Sequence, residues 1–350
     1  MDIYLYILLT VALFFSGSHL IAGKTAHKIP SASYGAIVIL GIIVAIKLAM
    51  FPITINDDKF NYQSTFESLS ILNIWEGNDI GFTFYTYIIK QLVDDANFYF
   101  FVTAFMYVFG YFIFAIRFFE KQYVLYFLLA SFISFGFSTY GVNTIRGGFA
   151  LALLLIGISY HKKMIWFFVF SLAAILCHKS MLLPFIAFCL TRFNNTTKIY
   201  IYFWLLCLLI AAINVSFITS FVHSIIGESD DRFSSYLSVD TLERYNAGFR
   251  LDFVIYSVIP ILVGYYYLFK IKVVDVFYHR IFNMYLFANA IWLLVISMAF
   301  TDRMAYLSWF LVPFLLLYPL LKYALPINQK KWVFIILLGI FGFTSFMYFK

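Results

Sequence analysis

Long apolar runs, separated by short charged or turn-rich breaks, divide this chain into about twelve segments. They cover roughly 3–21, 34–52, 97–116, 123–139, 147–160, 164–177, 181–191, 199–219, 251–269, 281–300, 304–321 and 332–349. Most approach the ~20 residues with which an α-helix crosses the hydrocarbon core of a bilayer. None keeps the strict alternation of a membrane strand. The pattern predicts an all-α, polytopic integral membrane protein of about 12 transmembrane helices, a single transmembrane domain over 1–350. The stretch 164–191 reads as two short halves around Cys177-His178-Lys179-Ser180. Residues 80–93 read as an amphipathic helix lying at the interface. Two longer polar stretches remain, at about 53–96 and 220–250.

Composition agrees with this. Apolar residues make up 63% of the chain, charged residues 12%, and mean hydropathy is +0.91. Soluble domains run at about 45–50% apolar and about 25% charged. A soluble enzyme, a nucleic-acid binder and a secreted disulfide scaffold are excluded, because no soluble fold of this length hides so much apolar surface. Cys177, Cys189 and Cys207 all lie in apolar runs with no paired spacing, and read as small core residues. Asp2 follows Met1, so the first run lacks the positive start of a signal peptide and is expected to be a retained span.

The net charge of +7 is informative through its distribution. One set of short loops carries fourteen basic residues against two acids, Glu120 and Asp275. The opposite set is net acidic. By the positive-inside rule the basic set is cytoplasmic, and both termini and both long loops face outward. The cytoplasmic turns have no room for a nucleotide-binding domain, and no phosphate-binding glycine motif occurs in a strand–helix context. Chemistry is therefore expected outside the cytoplasm or within the membrane.

Basic residues on the outer side work against the topology signal. Four share one setting: Arg146, Lys179, Arg250 and Arg303 each stand where a helix is predicted to begin at the outer face and run inward. A helix start offers free amides and about half a positive charge, so an added cation makes a site for phosphate or carboxylate. Gly147 and Gly148 leave room for a ligand to approach the backbone, while Ser180 and Asp302 are candidate caps. The plainer alternative is four cations snorkelling to lipid headgroups. His178 beside Lys179 and Ser180 reads as a cavity lining or as a hydrogen-bonded core histidine. With no second histidine at ligand spacing, no metal is expected, and no cofactor.

The first long loop places Asp57 and Asp58 near the end of the second run, followed by Tyr62, Trp75, Glu76 and Asp79. A carboxylate that takes a proton from a sugar hydroxyl makes it a nucleophile, and Tyr62 and Trp75 suit the faces of sugar rings. Asp57 and Asp58 are the candidate bases and His178 the second choice; solvated loop charges are the alternative. The second long loop, GESDDRFSSYLSVDTLERYNAGFR, suits a cover over a glycan cleft or a hydrated lid.

Four stretches, NDDKFNYQSTF, GVNTIRGGFALALLLIGISYHKK, AAILCHKSMLLPFIAF and YNAGFRLDFVIYSVIPIL, supported by FTDRMAYLSWFLVPFLL, occur in an order that resembles the EpsG/Wzy type of polysaccharide repeat-unit polymerase. Asn143 followed three positions on by Arg146, and the His178-Lys179 pair before a proline-containing half-helix, are its more specific features. Where the family often has Glu-Pro-Gly-Tyr in the first external loop, this chain has Asp79-Ile80-Gly81-Phe82. The resemblance implies a GT-C-like membrane glycosyltransferase at the outer face of the bacterial inner membrane. Its substrates would be undecaprenyl-diphosphate-linked oligosaccharides, polymerised into O-antigen or a related surface polysaccharide. It implies diphosphate binding by Arg146, Lys179, Arg250 and Arg303, and glycan binding by Tyr62, Trp75 and Asn143. Membrane lipids are expected partners, a chain-length regulator protein is a candidate partner, and no nucleic acid is expected. An O-antigen ligase or other GT-C enzyme would use a similar cationic site. A lipid flippase or transporter would also have about twelve spans, but the chain shows no internal repeat, and its unusual charges lie outward.

Overall fold

A computed structural model describes residues 6, 9, 10, 12, 13 and 17 and the ranges 34–53, 57–75, 79–213 and 248–349. Among the described residues there is no strand. Fifteen helices are named here in chain order. They are α1 (Tyr34–Ala49), α2 (Asp57–Ser68), α3 (Ile80–Leu92), α4 (Ala96–Phe118), α5 (Val124–Phe132), α6 (Phe137–Val142), α7 (Ile145–Ser159), α8 (Met164–Cys177), α9 (Leu182–Phe193), α10 (Thr197–Ile213), α11 (Leu251–Tyr265), α12 (Val276–Leu294), α13 (Thr301–Trp309), α14 (Val312–Lys322) and α15 (Gln329–Phe349). Helices fall on every apolar run from residue 34 onward. The run at 3–21 and the loop at 220–250 lie almost entirely outside the described residues.

Four helical stretches are long and apolar enough to cross a membrane: Ala96–Phe118, Leu251–Lys270, Thr301–Lys322 and Gln329–Phe349. Gly35–Ala49, Ile145–Ser159, Met164–Cys177 and Thr197–Ile213 are apolar but shorter. Together with the composition they make this a helical membrane protein. Several predicted spans are interrupted. The run at 123–139 becomes α5 and α6, because Gly136 adopts a left-handed φ of 94° between them. The run at 281–300 is helical only to Leu294, and Phe300 enters α13 with a φ of 53°. The expected break at 178–180 is present: α8 ends at Cys177, His178 is extended, and a single 3₁₀ turn over Lys179–Met181 leads into α9. Pro184 lies in the first turn of α9, where its missing amide removes no helical hydrogen bond.

The chain divides into two compact units, Met1–Leu182 with Leu317–Lys350, and Leu183–Leu316. In the first, α4 packs against α1 and α7, α7 against α8, and α3 against the far end of α8. The amphipathic segment predicted at 80–93 is α3. It buries Phe82, Thr86 and Ile89 and exposes Phe84, Ile88 and Leu92 as an outer apolar stripe at helical spacing. Lys59 of α2 is 2% exposed. Its ammonium donates to the carbonyls of Ala49 and Phe51 at the end of α1 and stands over the Phe100 ring. It caps one helix from the next. Burial lowers its pKa to about 8.

The second unit is built on α12, packed by α10, α11 and α13. Its interior holds a polar chain. Trp204 Nε1 donates to Asn289 Oδ1, Asn289 Nδ2 donates to Ser257 Oγ and Ser308 Oγ, and Trp309 Nε1 donates to Ser257 Oγ, all within 3.1 Å. In a membrane interior such groups must find partners in the protein. Here each indole and the asparagine amide does.

Candidate active site

The N-terminal ends of α3 and α7 and the C-terminal end of α8 bring four residues of the first unit together. Gly81 in the first turn of α3 allows the closest approach: a Cβ there would lie 2.9 Å from the carbonyl carbon of Leu176 and 3.0 Å from the amide nitrogen of Cys177. This contact carries Asp79, just ahead of α3, against the break after α8. Asp79 Oδ1 accepts from the backbone amide of Lys179 at 3.3 Å. Asp79 Oδ2 lies 3.0 Å from Arg146 Nη1 and 3.5 Å from His178 Nδ1.

The carboxylate is 2% exposed, while Arg146 and His178 are 29% and 24% exposed. The acid therefore sits at the bottom, with the cationic groups above it and open on one side. Burial by itself raises the pKa of Asp79. The His178 contact, the charges of Arg146 and His178 and the Lys179 amide outweigh it and hold the carboxyl at about 2. Rings pack around Phe82, three residues on from Asp79. Phe82 lies 5.8 Å from Phe149 and 6.2 Å from Tyr62, and Tyr85 stacks on Phe149 at 4.2 Å. Tyr85 also shares a hydrogen bond with Thr103. Together these contacts tie α2, α3, α4 and α7 into one support.

Of the residues singled out in the sequence, Arg146, His178 and Lys179 meet here. Arg146 is the second residue of α7, and Lys179 is exposed in the turn before α9. Arg250 and Arg303 belong to the second unit. Arg250 precedes α11, forms a two-pronged pair with Asp252 and stacks on Phe253. Arg303 lies in the first turn of α13 over the Phe300 ring. Asp58 is half-buried in α2; the side chain of Asp57 and residues 76–78, Glu76 among them, lie outside the described residues. Tyr62 is half-buried against Phe82, Trp75 is 74% exposed, and Asn143 ends α6 with its amide on the Thr139 carbonyl.

Three local expectations change. Ser180 does not cap α9: its hydroxyl is enclosed in the turn with no hydrogen-bond partner. Asp302 lies inside the first turn of α13, two places past the capping position Phe300, and accepts from the Tyr306 hydroxyl instead. The backbone space beside Gly147 and Gly148 is filled by Tyr140, with the His178 ring also facing Gly147, so these glycines admit the protein's own chain.

The residue not singled out as a base is Asp79. Its signal was the acid-x-Gly-aromatic stretch at 79–82, with a glycine that only close helix packing explains. Among the described residues no group of three or more metal-ligating side chains occurs. A buried carboxylate beneath a guanidinium, an imidazole and a lysine-bearing turn suits binding of an anion above it and transfer of a proton. The chain matches the family model described as EpsG family over residues 34–350. No curated protein and no solved structure matches it.

Proposed function

Because the chain belongs to the EpsG family, we propose that it is a membrane glycosyltransferase that polymerises lipid-diphosphate-linked oligosaccharide repeat units at the outer face of the bacterial inner membrane. Family and apolar helices together make it a membrane protein of polysaccharide biosynthesis. The finer reading rests on one observation: Arg146, Lys179 and His178 gather around a buried acid at predicted outward helix ends.

In this reading the donor is a growing glycan on undecaprenyl diphosphate, and the acceptor is a hydroxyl of a new lipid-linked unit. Breaking the anomeric C–O bond builds negative charge on the leaving diphosphate. Arg146 grips its oxygens with a planar fork, and Lys179 adds a second charge. Attack from the opposite face inverts the anomeric carbon. Asp58, Tyr62, Trp75 and Asn143 of the same unit are assigned to the glycan.

Arg146→Ala is the decisive variant. It is expected to abolish long-chain glycan, a loss of at least ~10²-fold, with the protein still in the membrane. Surface polysaccharide run on a gel reads the result. A ladder collapsing to a single repeat unit on its carrier supports the polymerase. Loss of every unit points to a ligase or flippase, and a normal ladder removes Arg146 from the chemistry.

A further inference from the structure

We propose that Asp79 is the base that takes the proton of the attacking hydroxyl, and that Arg146 masks it until a bound diphosphate draws the guanidinium away. The inference rests on the reading above, that a lipid diphosphate binds at Arg146.

The argument begins with competition for one cation. Arg146 Nη1 lies 3.0 Å from Asp79, but its side chain is 29% exposed and its Nε is enclosed without a hydrogen-bond partner. A guanidinium has five donors, and a single carboxylate oxygen uses few of them. A diphosphate carries more charge than a carboxylate and more acceptor oxygens, so it is the stronger partner. It arrives from the open side, whereas Asp79 lies buried beneath. Moving Arg146 outward by about one side-chain rotamer exchanges one anion for the other.

The exchange changes what Asp79 can do. With Arg146 on it, the carboxylate holds its charge too comfortably to accept a proton. Without Arg146, the His178 contact and the Lys179 amide remain, but one of the charges that outweigh burial is gone, and burial favours the neutral acid. Described groups near it come from every element packed there. His178 and the Lys179 turn follow α8, Cys177 ends α8, and the phenols of Tyr85 on α3 and Tyr99 on α4 are near enough to interact electrostatically with Cys177 and Arg146 respectively. Of these, only the Lys179 ammonium and a protonated His178 are cationic. Lys179 meets Asp79 through its backbone amide, and its exposed side chain follows the phosphate. His178 Nδ1 stays 3.5 Å away to orient the carboxyl.

The step balances. The acceptor O–H bond breaks and its proton goes to an Asp79 oxygen. The hydroxyl oxygen forms the new bond to the anomeric carbon. The bond from that carbon to the phosphate oxygen breaks, and its electron pair leaves with the lipid diphosphate, now held by Arg146. The base therefore exists only beside a loaded donor, so an acceptor without a donor stays unactivated.

The test uses the full-length protein in lipid nanodiscs with farnesyl diphosphate as probe. Calorimetry measures binding. Infrared difference spectra follow the protonated carboxyl stretch through a pH titration, with Asp79→Asn identifying the band. Saturating probe is expected to raise the proton affinity of Asp79 by at least ~10-fold. Arg146→Gln is expected to show the raised affinity without probe and to respond little to it. Should that variant fail to fold, the wild-type titration decides alone. Binding that leaves the Asp79 titration unchanged overturns the inference and spares the diphosphate reading. Absence of any binding overturns both.

Discussion

At the scale of the residue, Asp79 is the decisive group. An acid in the same loop as Asp57 and Asp58 differs from them only in what folding places around it. Its pKa falls from 3.8 to about 2 because bonding and charge from His178 and Arg146 and the Lys179 amide exceed the cost of burial. A carboxyl whose folded pKa lies below its unfolded value stabilises the fold above the unfolded pKa, and that stabilisation is lost as pH falls through the folded one. The contribution is about 2 kcal/mol. It is complete above about pH 4 and gone by about pH 2. Asp79→Asn is expected to lose it and to flatten the acid limb of thermal unfolding in detergent. A wild-type midpoint that falls no more steeply than the variant's across that window would refute the assignment. Arg146 and Lys179 were legible as charges where the topology signal disfavours them, and His178 as a polar residue in an apolar stretch. Asp79 was not, because its contact with Lys179 spans 100 positions of chain.

At the scale of the element, the site depends on how closely α3 can approach the end of α8. Gly81 sets that distance, with backbone atoms of residues 176 and 177 at 2.9 and 3.0 Å from where a Cβ would stand. Backbone cannot rotate aside as a side chain can. Gly81→Val is therefore expected to cost roughly 1–3 kcal/mol and to abolish polymer by withdrawing Asp79 from the Lys179 turn. Gly339→Val, on α15 with nothing within 4 Å, is the matched control and is expected to keep both stability and product. Equal thermal midpoints and equal ladders for the two variants would show that the approach of α3 to α8 is unimportant. The helices themselves were well marked by hydropathy: α8 spans 164–177 as predicted, and the break at 178–180 was expected from its polar residues. The division of 123–139 was less so, since a glycine in an apolar run reads the same whether its φ is negative or, as at Gly136, 94°.

At the scale of the whole molecule, the distribution of charge predicts an orientation for the chain. The same rule that assigns basic loops to the cytoplasmic side makes the basic residues at the starts of α7, α9, α11 and α13 stand out. Alkaline phosphatase fused after residue 349 is expected to be active, and fused after Lys163 inactive. The reversed result would move the Asp79 cluster to the cytoplasmic face and remove a lipid-linked, extracytoplasmic donor from consideration. Hydropathy and charge alone determined that this is a helical membrane protein, where most helices lie, and which cations merit attention. These are local properties: a run of apolar residues is apolar whatever it packs against. Tertiary structure alone decided which acid those cations hold and which glycines serve packing. A carboxylate's burial and its distance from a guanidinium depend on segments far apart in the chain, and only the packed helices of the first unit bring them together.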